Sequence, residues 1–117
     1  MSNQRKDRYG QARWTYALEV VEAVRRHWPE HLPLFWRHTL ADPEDGGFEP
    51  DENIAFARAL HERGVDVLDC SSGGGISGYP ANGKHVPRGL DYRADVGAAL
   101  RSATGMAIMG VGLARRH

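Results

Sequence analysis

The sequence predicts an α/β protein in which about three helices alternate with three parallel strands. Apolar runs at residues 32–36, 65–70 and 106–113 each follow a stretch whose apolar residues have helical spacing. Alternation of this kind is typical of parallel βα units. The central run, GVDVLDCSSGGG at residues 64–75, is bounded by glycine on both sides and is rich in aliphatic residues, which indicates a strand covered on both faces. Ligands bind at the carboxyl ends of such strands, so residues 70–75 are a candidate site.

Length and composition predict a single domain, residues 1–117, whose partner is neither a nucleic acid nor a membrane. Fifteen basic and fifteen acidic residues cancel, so nothing indicates nucleic acid or an anionic membrane as a partner. We expect no membrane span, because no apolar stretch approaches the roughly 18 residues that a span needs. The single cysteine, Cys70, cannot form an internal disulfide, and with no signal region at the N-terminus this predicts a cytoplasmic location.

The first helix and the first strand are predicted between Trp14 and Trp36. Apolar residues recur at helical spacing from Trp14 to Trp28, and Pro29 is expected to end the helix. Residues 32–36, LPLFW, predict a strand in which Pro33 is tolerated only near the start. Arg37 follows directly and is expected either to reach solvent or to meet a ligand.

The second helix and the central strand follow a turn-rich loop at residues 41–48. Pro50 suits the first helical position, and Asp51 and Glu52 are favourable in the first turn. Gly64 is placed to close this helix in left-handed geometry before the central strand.

The last part of the chain predicts a long loop, a third helix and a third strand. Residues 73–89 are rich in Gly and Pro and are longer than most connections, which indicates a functional or mobile loop. The third helix is expected over roughly residues 92–103, and the third strand over residues 106–113. Two architectures share this pattern, a doubly wound open sheet and a segment of a (β/α)8 barrel, and the pattern alone does not separate them.

Seven segments in order resemble the old yellow enzyme family, and together they extend over nearly the whole chain. They are SNQRKDRYG (2–10), LEVVEAVR (18–25), PLFWR (33–37), GGF (46–48), ARAL (57–60), GVDVLDCSSG (64–73) and GVGL (110–113). The resemblance implies a partial (β/α)8 TIM barrel covering roughly the fifth to seventh βα units. It also implies an FMN-dependent NAD(P)H oxidoreductase, a flavoprotein that reduces activated C=C bonds of enone-type substrates.

The resemblance also implies three cofactor-binding residues at three strand ends. Arg37 matches an arginine that contacts the flavin ring, where it stabilises negative charge on the reduced flavin. Ser71 and Gly112 match positions beside the FMN phosphate, where small residues and free backbone N–H groups allow close approach. No catalytic residue is assigned, because the family's substrate-binding His pair, proton-donor Tyr and last phosphate-binding strand match nothing in these 117 residues. We therefore expect a truncated and inactive fragment.

Simpler interpretations stand beside these assignments. Cys70 beside an apolar strand is typical of an inert buried thiol. His27 and His31 are four residues apart, but Pro29 breaks the helix that would align them, so no metal site is predicted. Two other function classes stay open: a non-enzymatic αβ module that self-associates or complements another half-barrel through its sheet edges, and a doubly wound domain that binds another phosphate ligand.

Overall fold

The computed structural model describes residues 4–40, 50–71 and 94–110. The predicted alternation of helices and strands is confirmed, with one additional short helix at the start. The elements are α1 (Arg8–Gln11), α2 (Thr15–Arg25), β1 (Phe35–Thr39), α3 (Pro50–Glu62), β2 (Val67–Ser71), α4 (Ala94–Thr104) and β3 (Ala107–Gly110).

The strands form one parallel sheet in the order β1-β2-β3. In the β1–β2 register, Arg37 lies opposite Asp69, and Thr39 lies opposite Ser71. The same register places Met109 of β3 opposite Asp69. A parallel sheet whose consecutive strands are adjacent, each joined to the next through a helix, is the repeating arrangement of an α/β barrel. The predicted class, part of a (β/α)8 barrel, is confirmed.

Helix α2 is shorter than predicted and buries only part of the expected apolar face. Val21 is buried, whereas Val24 and Trp28 are exposed. The helix ends at Arg25, and Pro29 prevents its continuation beyond the next turn, because a proline disfavours helical geometry in the residue before it. The following residues form a tighter turn, in which the His27 amide donates to the Val24 carbonyl three residues back.

The predicted boundaries of β1 were wrong: the strand begins at Phe35, not at Leu32, and continues to Thr39. Pro33 has no N–H to donate to a neighbouring strand. The Leu34 amide donates instead to the Asp66 carboxylate at 2.7 Å, so regular pairing starts one residue later. Arg37 is therefore a residue within the strand and does not follow it.

Helix α3 begins and ends as predicted. Pro50 is its first residue, and Asp51 and Glu52 lie in the first turn, where carboxylates interact favourably with the free N–H groups of a helix start. Gly64 has φ +86°, the left-handed geometry expected of a residue that closes a helix. The chain then enters β2, whose three central residues are all buried, as predicted for a covered strand.

Helix α4 and strand β3 lie within one or two residues of their predicted positions where the structure describes them. Gly105, with φ +75°, separates α4 from β3. The loops predicted at residues 41–48 and 73–89, the start of the third helix at residue 92 and the third strand beyond Gly110 lie outside the described residues.

The two faces of the sheet have different environments. The first face packs against the helices: Leu68 and Cys70 are fully buried, and the rings of Trp36 and His38 contact Phe56 of α3. Side chains alternate along a strand, so the remaining strand residues project from the opposite face. We call this the open face; its members are Phe35, Arg37, Thr39, Val67, Asp69, Ser71, Ala107 and Met109. In a closed barrel such a face lines the interior.

Candidate functional site

The open face changes from apolar to polar toward the carboxyl ends of the strands. Its first row, in register across the sheet, is Phe35, Val67 and Ala107. The second row contains the charged side chains of Arg37 and Asp69, and the third row the hydroxyls of Thr39 and Ser71. Hydrogen-bonding groups therefore collect at the end where parallel α/β proteins bind ligands.

Arg37 and Asp69 form a cross-strand ion pair at the centre of this polar region. Arg37 Nη1 donates to Asp69 Oδ2 at 3.0 Å. The side chain of Arg37 is 65% exposed, whereas that of Asp69 is 12% exposed. A guanidinium has five N–H donors, and this bond uses one of them. The pair therefore consists of a buried carboxylate that holds one edge of an accessible cation.

Ser71 lies beside this pair, one strand away from Arg37 and two residues further in register. Its Oγ donates a hydrogen bond to the His38 carbonyl at 3.1 Å, and its own carbonyl accepts from the Leu40 amide at 2.8 Å. These bonds fix the end of β2 against β1. The structure thus places both residues in the polar part of the open face, Arg37 in the middle of β1 and Ser71 at the end of β2, while Gly112 lies outside the described residues. The predicted role of all three in FMN binding stays a prediction.

A buried polar network lies on the helix-facing side, behind the ion pair. Asn53 of α3 donates from Nδ2 to the Leu40 carbonyl at 2.8 Å, which turns its Oδ1 toward His38 Nε2 at 2.7 Å. Because Oδ1 can only accept, Nε2 carries the proton. Burial lowers the pKa of the His38 imidazole below its ordinary value, and the hydrogen bond to Asn53 partly offsets that shift. The network ties the last residues of β1 to α3.

The sequence alone did not identify Asp69 as the partner of Arg37 or Asn53 as the partner of His38. Asp69 is the only charged residue within β2, which is a signal in an otherwise apolar strand, but its partner depends on a cross-strand register that one sequence does not reveal. Asn53 lies inside α3, where a solvent-exposed position is the ordinary expectation for an amide. Its burial follows from the position of His38 on the neighbouring strand.

Cys70 is fully buried on the helix-facing side of β2. Its Sγ lies 3.8 Å from the Leu68 carbonyl, a weak contact within its own strand. Within residues 4–40, 50–71 and 94–110, no group of three or more His, Cys, Asp or Glu side chains could hold a metal ion. The helices of the same ranges include none long and apolar enough to cross a bilayer.

The fold and the site together define a class of protein. A parallel βα array with a charged pair and hydroxyls at its carboxyl ends corresponds to part of the ligand-binding end of an α/β barrel enzyme. No protein-family model matches the chain.

Curated relatives then identify the family. The chain is 41% identical to an NADPH dehydrogenase of Bacillus velezensis over 76 residues, which are 62% of this chain and 22% of that enzyme. It is 31% identical to the NADPH dehydrogenase of Geobacillus sp. (strain WCH70) over 116 residues, 97% of this chain and 32% of that enzyme. The enzyme of Bacillus subtilis is 38% identical over 76 residues. The predicted resemblance is confirmed: the chain is homologous to part of the NADPH dehydrogenases of old yellow enzyme type.

Each match covers only a part of the relative's length. The chain spans 22 to 32% of the length of the curated relatives that it matches. This share agrees with the three strands found within the described residues, where a complete barrel has eight.

Proposed function

We propose that this chain forms part of the flavin-binding strand ends of an NADPH-dependent oxidoreductase of the ene-reductase type. The proposed reaction is the reduction of activated C=C bonds, as in enones, with FMN as cofactor and NADPH as reductant. The observation that carries the proposal is the Arg37–Asp69 pair, which presents an accessible guanidinium on the open face. The homology to NADPH dehydrogenases supports the reaction class.

The residues at the strand ends have the chemistry that FMN requires. A bound FMN would supply hydride transfer from NADPH to one carbon of the double bond, and the other carbon would take a proton from a donor outside these strand ends. The guanidinium of Arg37 is a cation, so it can stabilise negative charge on a reduced isoalloxazine ring without a proton transfer. Ser71 is small and lies at the end of β2, and a small side chain allows a phosphate to approach the backbone closely. Gly112 would serve the same purpose at the end of the following strand.

Turnover requires more than these strand ends. A barrel enzyme assembles its site from the ends of several different strands, and the curated relatives are about three times as long as this chain. We therefore propose that the 117-residue chain by itself binds the flavin but does not reduce an enone.

A flavin titration tests the binding. FMN fluorescence is followed while protein is added, with Arg37→Gln as the variant. Arg63→Gln is the matched control, because Arg63 pairs with Glu22 on the helix layer. We expect Arg37→Gln to weaken FMN binding about tenfold, as the loss of one hydrogen bond to a charged group predicts, and Arg63→Gln to leave it unchanged. No change in FMN fluorescence at high micromolar wild-type protein would remove the binding proposal.

A second assay separates binding from turnover. NADPH consumption is measured with FMN and an enone, with and without the chain. The proposal predicts the same rate in both samples, and a protein-dependent, enone-dependent rate would show that the chain is active alone.

The second candidate is a non-enzymatic αβ module that self-associates or complements another half-barrel. Among the described residues, β1 and β3 each pair with a strand on one side only. Phe35 and Met109 on the open face are 52% and 42% exposed. Exposed apolar residues also recur every four positions along α2, at Tyr16, Val20 and Val24, and so lie on one side of that helix. Apolar surface of this kind favours association.

Sedimentation velocity over a range of concentrations tests this candidate. It predicts concentration-dependent growth in mass, which the substitution of Phe35 by Lys reduces. A well-folded monomer at every concentration would count against it.

A further inference from the structure

The carboxylate of Asp69 has one oxygen that no described residue satisfies. The residue is only 8% exposed, and its Oδ2 accepts from Arg37. Its Oδ1 is buried and has no hydrogen-bond partner within the described part of the chain. An unsatisfied buried carboxylate oxygen is costly, and in native structures such an atom calls for an explanation.

The position of this oxygen distinguishes it from the other buried polar atoms without a partner. Those atoms are Arg25 Nε and Trp36 Nε1. Trp36 projects toward the helices, where its ring meets Phe56, and Arg25 lies near Asp66 and Leu32 at the amino end of the sheet. Asp69 alone among the three lies on the open face, beside an exposed guanidinium.

We propose that Asp69 has two roles in the flavin site: Oδ2 positions Arg37, and Oδ1 accepts a hydrogen bond from an N–H or O–H group of the bound molecule. The two residues then present an acceptor next to several donors. A heterocyclic imide, whose N–H lies between two carbonyls, matches this arrangement, and so does a polyol hydroxyl. A flavin carries both groups. This inference rests on the proposed function and adds a residue that neither the resemblance nor the relatives' names assign.

The substitution Asp69→Asn tests the inference by equilibrium FMN binding. Asparagine keeps the shape of the side chain but replaces one oxygen by an NH₂ group. With its remaining oxygen toward Arg37, the NH₂ group faces the ligand's donor. We expect the Kd for FMN to rise about ten- to hundredfold. Glu22→Gln is the matched control, because it removes the carboxylate of an ion pair in the helix layer, and we expect its Kd to equal that of wild type.

Three flavins separate a binding role from a purely structural one. FMN has the imide N–H and the ribityl hydroxyls, lumiflavin has only the N–H, and N3-methylated lumiflavin has neither donor. A loss on Asp69→Asn for both FMN and lumiflavin identifies the imide as the donor, and a loss for FMN alone identifies a hydroxyl. In either case the methylated flavin loses less affinity than FMN, because it loses only the effect of the weakened Arg37 pair. Equal losses for all three flavins would assign Asp69 a structural role only and overturn the inference.

The remaining outcomes distinguish a failure of this inference about Asp69 from a failure of the proposed function. If wild type binds FMN and Asp69→Asn binds it equally well, the inference is wrong and the proposed function stands. If wild type binds no FMN, the proposed function fails and the inference fails with it. Circular dichroism and the melting temperature establish that the variant is folded. Should Asp69→Asn not fold, Asp69→Glu is the second variant, because the longer side chain keeps the charge, moves both oxygens and predicts the same ranking of losses among the flavins.

Discussion

Removing the Asn53 side chain should destabilise the protein more than any surface substitution, because the side chain joins two buried partners. Its amide hydrogen-bonds His38 Nε2 at 2.7 Å and the Leu40 carbonyl at 2.8 Å. The substitution Asn53→Ala removes both bonds at once. His38, Asn53 and Leu40 are all buried in the intact protein, so neither partner can turn toward bulk water without a rearrangement.

The magnitude follows from the two partners that are left unsatisfied. A buried donor or acceptor that loses its partner costs about 1–3 kcal/mol. Two such groups give about 2–6 kcal/mol, and a water molecule entering the space left by the amide would place the result in the lower half of that range. A domain of this size has a stability of about 5–15 kcal/mol, so the variant loses a large share of it.

Urea unfolding followed by circular dichroism measures this loss. We expect the midpoint of Asn53→Ala to fall by about 1 M or more. Glu22→Gln is the control, since its exposed pair with Arg63 contributes below about 1 kcal/mol. Equal midpoints for Asn53→Ala and Glu22→Gln would contradict this prediction, because they would mean that the network does not hold β1 against α3.

Three further predictions concern pH and the two left-handed glycines. Burial lowers the pKa of His38 in the folded state, so its contribution to stability is complete above the unfolded pKa of about 6.5 and is lost as the pH falls below that value. The substitution His38→Gln keeps a donor toward Asn53 but does not titrate. The urea midpoints at about pH 7.5 and pH 5 should therefore differ less in this variant than in wild type. An unchanged difference would exclude His38 as the cause of the loss of stability at low pH. Gly105→Ala should cost about 1–2 kcal/mol from its φ of +75° alone, because an added Cβ meets no atom within 4 Å. Gly64→Ala should cost more stability than Gly105→Ala, since its φ is +86° and an added Cβ would also lie 3.1 Å from Arg25 Nε. A smaller loss of melting temperature for Gly64→Ala than for Gly105→Ala would contradict this order.

Local chemistry made much of the fold predictable from the sequence. Pro50 and Gly64 identify the two ends of α3, because each acts through its own backbone. The amino end of β1 was not predictable in the same way. It depends on a hydrogen bond from the Leu34 amide to Asp66, a residue 32 positions away. Helix α1 was also missed, because it has only four residues and depends on Asp7, whose side chain accepts from the Tyr9 amide.

The candidate site was predictable only in part, because it too depends on contacts between residues that are far apart in the sequence. The resemblance identifies Arg37 and Ser71 by matching short segments, and the structure places Ser71 at the carboxyl end of the open face and Arg37 in the middle of β1. Their partners were not identified. Arg37 meets Asp69 and His38 meets Asn53 across the sheet and the helix layer, and such contacts depend on strand register and helix packing that no single segment encodes.

Amide chemical shifts recorded during an FMN titration show where on the sheet the flavin binds, because they locate the ligand residue by residue. If the carboxyl end of the open face binds the flavin, we expect the largest shifts at Arg37, Asp69 and Ser71, and none at Glu22 or Arg63 on the helix layer. Saturable shifts that cluster elsewhere, for example around the groove of about 250 Å³ lined by Asn53, Val96 and Leu100 between α3 and α4, would contradict the claim. The absence of any shift at saturating FMN would contradict it equally.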